Sequence, residues 1–242
     1  MSENPSQDLV ALGKALGTHP SRLTLHWEGS CAVKTGDAKF LVSARGALLS
    51  KLTAATLVEA QSKKLLASIE SEEDEKKAEE PEEPALELDQ KKPNPSEDAA
   101  IYAYLFTLDG VRFAARTQPI EVSQILCSPR ARQFSDRRTY HDEILACGAS
   151  SVLIPYTEPG LPLAREVKRK IILWRDRNKI APKLLLLQNY GMMVLGKSRE
   201  EVARTTDMAV KAAQIFTGAA MLGGPVFLSP DNVVQIESAA RE

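Results

Sequence analysis

Apolar residues recur in two rhythms along the chain, and the change from one to the other marks the elements. Leu9, Leu12 and Leu16 repeat at helical spacing, which predicts a short amphipathic helix over residues 6–17 with Ser6 as its cap and Gly17 as its end. Residues 24–27 and Lys39–Ser43 (KFLVS) read as strands, separated by Gly29 and the Gly36-Asp37 turn, and residues 52–59 read as a short helix. Pro95-Ser96-Glu97-Asp98 opens a helix over 99–106. Ser96 is its expected cap, and the carboxylates lie on the first turn, where the helix dipole favours them. Residues 112–117 alternate like a strand and stop at Pro119; 120–127 and 136–147 read as helices, and 151–156 (SVLIPY) as a strand ended by Pro159-Gly160. Leu161–Asn178 is amphipathic at helical period, with Arg165, Lys168 and Arg169 on its basic face. Residues 183–188 and 192–195 are apolar strands on either side of an Asn189-Tyr190-Gly191 turn. Ser198 and Glu201 form a capping box for a long Ala-rich helix that ends at Gly223-Gly224, and Ser229-Pro230 opens a last short helix.

Strands and helices alternate, yet several strand pairs are joined by only two to four residues, too short for a parallel crossover. The expected architecture is therefore α/β with a mainly antiparallel central sheet covered by helices, a single domain over residues 1–242. Lys plus Arg number 31 and Asp plus Glu 32, a formal net charge of −1, and no basic stripe is interleaved with aromatics, so nucleic acid is not an expected partner. The charge is unevenly placed. Residues 70–89 hold eleven acids and two lysines, a local −9 that leaves +8 on the remainder. That run, with Pro81 and Pro84 inside it, reads as a solvated acidic insertion over 70–92; contact with a basic partner or with the chain's own basic body is the other reading. Three widely spaced cysteines (Cys31, Cys127, Cys147) give neither a disulfide framework nor a zinc motif, and suit a reducing compartment. With no signal-like N-terminus and no membrane-length apolar run, the expected location is cytoplasmic. The absence of GxGxxG and of a P-loop lysine counts against a Rossmann or Walker nucleotide site.

Five blocks, in order, resemble the class II aldolase and adducin-head family: residues 26–60 (HWEGSCAVKTGDAKFLVSARGALLSKLTAATLVEA), 93–106 (PNPSEDAAIYAYLF), 113–119 (FAARTQP), 154–167 (IPYTEPGLPLAREV) and 184–215 (LLLLQNYGMMVLGKSREEVARTTDMAVKAAQI). The resemblance implies a three-layer α/β/α domain and a homo-oligomer, commonly a tetramer. It also implies a chemistry: a zinc held by three histidines polarises a ketose phosphate, a glutamate moves the proton, and a carbon–carbon bond is reversibly cleaved, the cation stabilising the developing enediolate.

The residues at those positions depart from the pattern. The family's His-x-His falls on Arg116-Thr117-Gln118, and the histidine of Asn-His-Gly falls on Tyr190. Arginine offers only donors and a fixed positive charge, glutamine is a weak neutral ligand, and a phenol of pKa near ~10 is protonated at neutral pH, so no zinc cofactor is expected there. The histidines the chain does have, His19, His26 and His141, lie in separate segments. By resemblance Glu97 falls on the acid–base glutamate. Ser96, Gly29 and Gly46 fall on the pocket turns, with Ser30 in place of the turn asparagine and Ala32 in place of a serine. The candidate site is thus Glu97 as the catalytic residue, with Gly29, Ser30, Gly46, Ser96, Arg116, Gln118 and Tyr190 as ligand contacts. Arg116, on the otherwise apolar strand Phe113-Ala114-Ala115, needs a partner: a structural salt bridge, for example with Glu97, or the carboxylate or phosphate of a ligand. Two functions follow. One is a metal-free family member that binds an anionic small molecule or acts through assembly; the other is an aldolase-type lyase in which Arg116 supplies the positive charge.

Overall fold

A computed structural model describes residues 4–71 and 93–239. The acidic run expected as an insertion falls mostly on residues 72–92, outside the described residues, but Glu70 closes a helix. In chain order the elements are α1 (Pro5–Gly17), β1 (Ser30–Lys34), β2 (Lys39–Ser43), β3 (Leu57–Gln61), α2 (Ser62–Glu70), α3 (Ala99–Leu105), β4 (Phe113–Thr117), α4 (Ile120–Leu126), α5 (Ala131–Asp136), α6 (His141–Cys147), β5 (Val152–Ile154), α7 (Leu161–Asn178), β6 (Leu184–Leu187), β7 (Gly191–Gly196), α8 (Arg199–Met221) and α9 (Pro230–Ala239).

The strands form one sheet in the order β3-β2-β1-β4-β7-β6-β5. Every neighbouring pair is antiparallel except β5 with β6, and for β1–β2 and β6–β7 the short connections require it. Strand alternation divides the core between the two faces. Cys31, Val33, Phe113, Ala115, Met192 and Val194 join the core under α1, α4, α6 and α8. Ala32, Ala114, Met193 and Leu195, one residue out of phase, join the core under α2, α3 and α7. Both faces are covered, which is why LLLL and GMMVLG are apolar without alternation. α3 is buried all round, wedged between sheet and helices.

Several local expectations change. Residues 24–27 are not a strand, because Arg22 and His26 take left-handed backbone (φ 49 and 51) and the Leu25–Glu28 segment closes as a turn. The ladder begins at Ser30, after Gly29. Residues 52–59 are not a helix: 3-10 turns at Leu49–Lys51 and Ala54–Thr56, the second held by a reciprocal Thr53–Thr56 cap, lead into β3, which pairs with the outer edge of β2. The cap of α1 is Asn4, whose side chain accepts from Gln7 N–H at 3.2 Å, and Ser6 lies inside the helix. Residues 136–147 break between α5 and α6, where buried Arg138 donates to the Gly148 carbonyl at 2.7 Å and to Ser151 Oγ at 2.8 Å. At α8 Ser198 caps as expected, while Glu201 accepts from Lys197 N–H in place of the Ser198 amide.

Candidate functional site

The site lies where β1 begins and β4 ends. Antiparallel register sets Ser30 opposite Arg116, and Arg116 opposite Met193 of β7. Both Ser30 and Arg116 share the face of Ala32 and Ala114, so their side chains point toward the layer of α3. The first turn of α3 brings Asp98 and Tyr102 down onto them. Asp98 accepts from Arg116 Nε at 2.7 Å and from Ser30 Oγ at 2.5 Å. The Tyr102 hydroxyl lies 2.6 Å from Ser30 Oγ, donates to the Ser30 carbonyl at 3.0 Å and accepts the Arg116 backbone N–H at 3.1 Å. Side-chain exposures of 6% for Arg116 and 3% for Asp98 mark a buried ion pair.

Arg116 therefore has the partner its apolar strand demanded, but the partner is Asp98 and not Glu97, which is exposed. Glu97 and Asp98 are adjacent acids, so no local feature of the sequence separates the one that meets Arg116 from the one that does not. Asp98 stands at the N-cap of α3, yet its side chain makes no capping bond, because the carboxylate is spent on the cation and the serine. Tyr102, also missed, sits one helical turn further along the same face.

Of the other expected residues, Tyr190, Gly29 and Ser96 close around this pair. The Tyr190 ring lies over the guanidinium at 4.6 Å, a cation–π contact. Gly191, at φ +118, follows it; a Cβ there would stand 2.5 Å from the Thr117 carbonyl and 2.8 Å from Gln118 Cγ, so the β6–β7 turn presses directly on the end of β4. Gly29, at φ +89, allows the same closeness on the other side, where a Cβ would stand 2.9 Å from the Arg116 carbonyl. An Ala44–Pro95 bridge and the Ser96 N–H to Ser43 carbonyl bond set Ser96 beside the end of β2, while the Gly46 turn lies further along, past Asn94. Ser96 is buried, and its hydroxyl accepts from Asp98 N–H at 3.2 Å.

Electrostatics follow from burial. Desolvation alone would weaken the hold of Arg116 on its proton, but the Asp98 carboxylate more than reverses it, and Arg116 stays above the usual arginine range. Burial pushes the Tyr190 phenol up to about 12 although Arg116 pulls it down; Asp98, Glu97 and Tyr156 act with burial. Arg116 Nη1 is buried with no hydrogen-bond partner among the described residues. Of the histidines, His19 meets Asp207 at 3.0 Å and His141 meets Asp142 at 3.1 Å, both remote in sequence from this cluster. No group of three His, Cys, Asp or Glu side chains placed to hold a metal ion occurs among the described residues.

The same arrangement of sheet and helices is found in solved structures. YgbL of Klebsiella pneumoniae, a putative aldolase/epimerase/decarboxylase, superposes with a TM-score of 0.70 at 16% identity, covering 96% of this chain and 97% of its own. An L-fuculose 1-phosphate aldolase gives 0.72 at 14% identity over 100% and 98%, and the N-terminal class II aldolase domain of a conserved protein from Thermoplasma acidophilum gives 0.63 at 17% over 90% and 95%. These identities establish likeness of fold. No curated protein matches in sequence. The family model of the class II aldolase and adducin N-terminal domain, however, matches residues 7–217, most of the chain. With fold and sequence profile in agreement, this chain belongs to the class II aldolase and adducin N-terminal domain family.

Proposed function

We propose that this chain is a metal-free member of its family, a domain that binds a small anionic molecule and acts by binding and assembly in place of carbon–carbon cleavage. The observation that carries the reading is the buried Arg116–Asp98 pair, 2.7 Å from Nε to Oδ2. By resemblance, zinc would be held at residues 116, 118 and 190, and the side chains there do not fit it. The guanidinium has only donors and a positive charge, already matched by Asp98. The Tyr190 phenol, at about 12, keeps its proton at neutral pH. Gln118 and the protonated phenol offer only neutral oxygens, which are weak ligands for zinc.

The same pair disfavours the lyase alternative. A cation whose charge is matched by a carboxylate has little field left for a developing enediolate. Arg116 Nη1, without a hydrogen-bond partner among the described residues, is the donor we assign to a carboxylate or phosphoryl oxygen of the ligand. Assembly is supported by apolar side chains left open at the end of α8 and beyond: Met221 is 84% exposed and Leu222 and Val226 each 89%. The resemblance implies a tetramer.

The test is elemental analysis of the purified chain, together with a ketose-phosphate cleavage panel run with and without added zinc. The expected result is substoichiometric zinc and no turnover, with L-fuculose 1-phosphate or a related sugar phosphate binding without being cleaved. Stoichiometric zinc with cleavage overturns the reading. Metal-free cleavage abolished by Arg116→Lys establishes the lyase alternative.

A further inference from the structure

The opposite end of the sheet holds an arrangement that this function does not use. Three neighbouring central strands, β1, β4 and β7, share a register row at Val33, Phe113 and Gly196. One residue beyond that row each strand carries a cation: Lys34, Arg112 and Lys197. Backbone bonds from Lys34 N–H to the Arg112 carbonyl (2.8 Å) and from Arg112 N–H to the Gly196 carbonyl (2.9 Å) keep the strand ends together. Strands lie about 4.8 Å apart, so three like charges stand side by side, an arrangement that is destabilising unless counter-charge is supplied.

Little counter-charge is present. Lys34 is 3.7 Å from Asp37, a fully exposed side chain, and donates to the Phe106 carbonyl at 3.2 Å. Neither Arg112 nor the Lys197 ammonium has an ion-pair partner among the described residues; Arg112 rests on the Phe113 ring at 5.7 Å, and the Lys197 stem packs over Gly110. All three cations line one cleft of about 760 Å³, floored by Leu66, Phe106 and Val111. That volume lies within the range of sites for drug-sized ligands. A second cleft of about 440 Å³ continues from it past Lys197 to Arg175 and Lys179. Asp109 is the acid common to both.

We propose that this cleft is a second ligand site, separate from the Arg116 cluster, for a small polyanion with at least two phosphoryl or carboxylate groups. Lys34, Arg112 and Lys197 hold the charged groups, and the apolar floor takes any uncharged body. Three adjacent cations select multiple negative charges over one, because each added oxyanion meets its own donor.

Isothermal titration of the full chain at low salt, with tripolyphosphate, ATP and citrate as probes, tests it. At least one probe is expected to bind. Tripolyphosphate or ATP without citrate identifies the phosphoryl source, citrate alone the carboxylate source, and ATP tighter than tripolyphosphate a role for the floor. Arg112→Gln and Lys197→Gln should each weaken binding about tenfold. Asp109→Asn should strengthen it, and Lys14→Gln, at an exposed position of α1, should leave it unchanged. These are surface or half-buried positions, and an unchanged melting temperature verifies folding. Charge reversal by Lys197→Glu serves as the second variant. No binding by any probe overturns the proposal, as does binding indifferent to Arg112 and Lys197 or weakened equally by Lys14→Gln.

Discussion

One ion pair governs the site at the scale of single residues. Asp98→Asn leaves the Arg116 charge buried without compensation, and the expected cost is about 3–5 kcal/mol in urea unfolding. Arg116→Met combined with Asp98→Leu should recover most of that loss, since removing both charges removes the desolvation cost as well. A double variant as unstable as Asp98→Asn alone would show that the charges are not the issue. The cysteines give a second expectation. Burial raises Cys31 and Cys147 from 9.0 to about 12, while Cys127 is exposed. A thiol reagent at pH 8 should label Cys127 alone in the native chain and all three after denaturation. The sign of the pH dependence follows. Below the unfolded thiol value both states keep these protons; above it the unfolded chain releases them first. The melting temperature should fall as pH rises from about 9 toward 12, and Cys31→Ala with Cys147→Ala should flatten that fall.

Elements are held by a few backbone requirements. Gly191 begins β7 at φ +118 against the Thr117 carbonyl, so Gly191→Ala should cost at least about 1–3 kcal/mol and displace Tyr190 from Arg116. Unfolding by denaturant and loss of cation–π perturbation in the Tyr190 absorbance would report both. Ser198→Ala removes the cap of the longest helix, at about 1 kcal/mol. The strands most legible in the sequence were those whose ends coincide with turn residues: Lys39–Ser43 after Gly36-Asp37, and β6 and β7 around Asn189-Tyr190-Gly191. Residues 57–61 were not legible as a strand, because edge pairing with β2 overrides a weak local preference. The α5–α6 break was hidden for a similar reason. It depends on Arg138 finding carbonyls and a serine in a distant loop.

For the molecule as a whole, assembly is the property most open to measurement. Val226→Asp, within the exposed apolar stretch after α8, is expected to shift a homo-oligomer toward monomer in sedimentation velocity while leaving the monomer folded. An unchanged, monomeric wild type would remove the assembly part of the proposed function. No helix among the described residues is long and apolar enough to cross a membrane.

By itself the sequence determined the α/β class, the mainly antiparallel character of the sheet and the family, since connection lengths, hydrophobic period and motif order are properties of the chain read in one dimension. The proposed exchange of three histidines for Arg116, Gln118 and Tyr190 likewise rests on the order of motifs along the chain. Tertiary structure alone decided which carboxylate meets Arg116. Glu97 and Asp98 are adjacent and chemically alike, and only the rotation of α3 above the β1–β4 register turns one outward and the other onto the cation. The row of Lys34, Arg112 and Lys197 likewise exists only once three distant segments are aligned in the sheet, because charge that is scattered along a chain becomes a site through strand pairing.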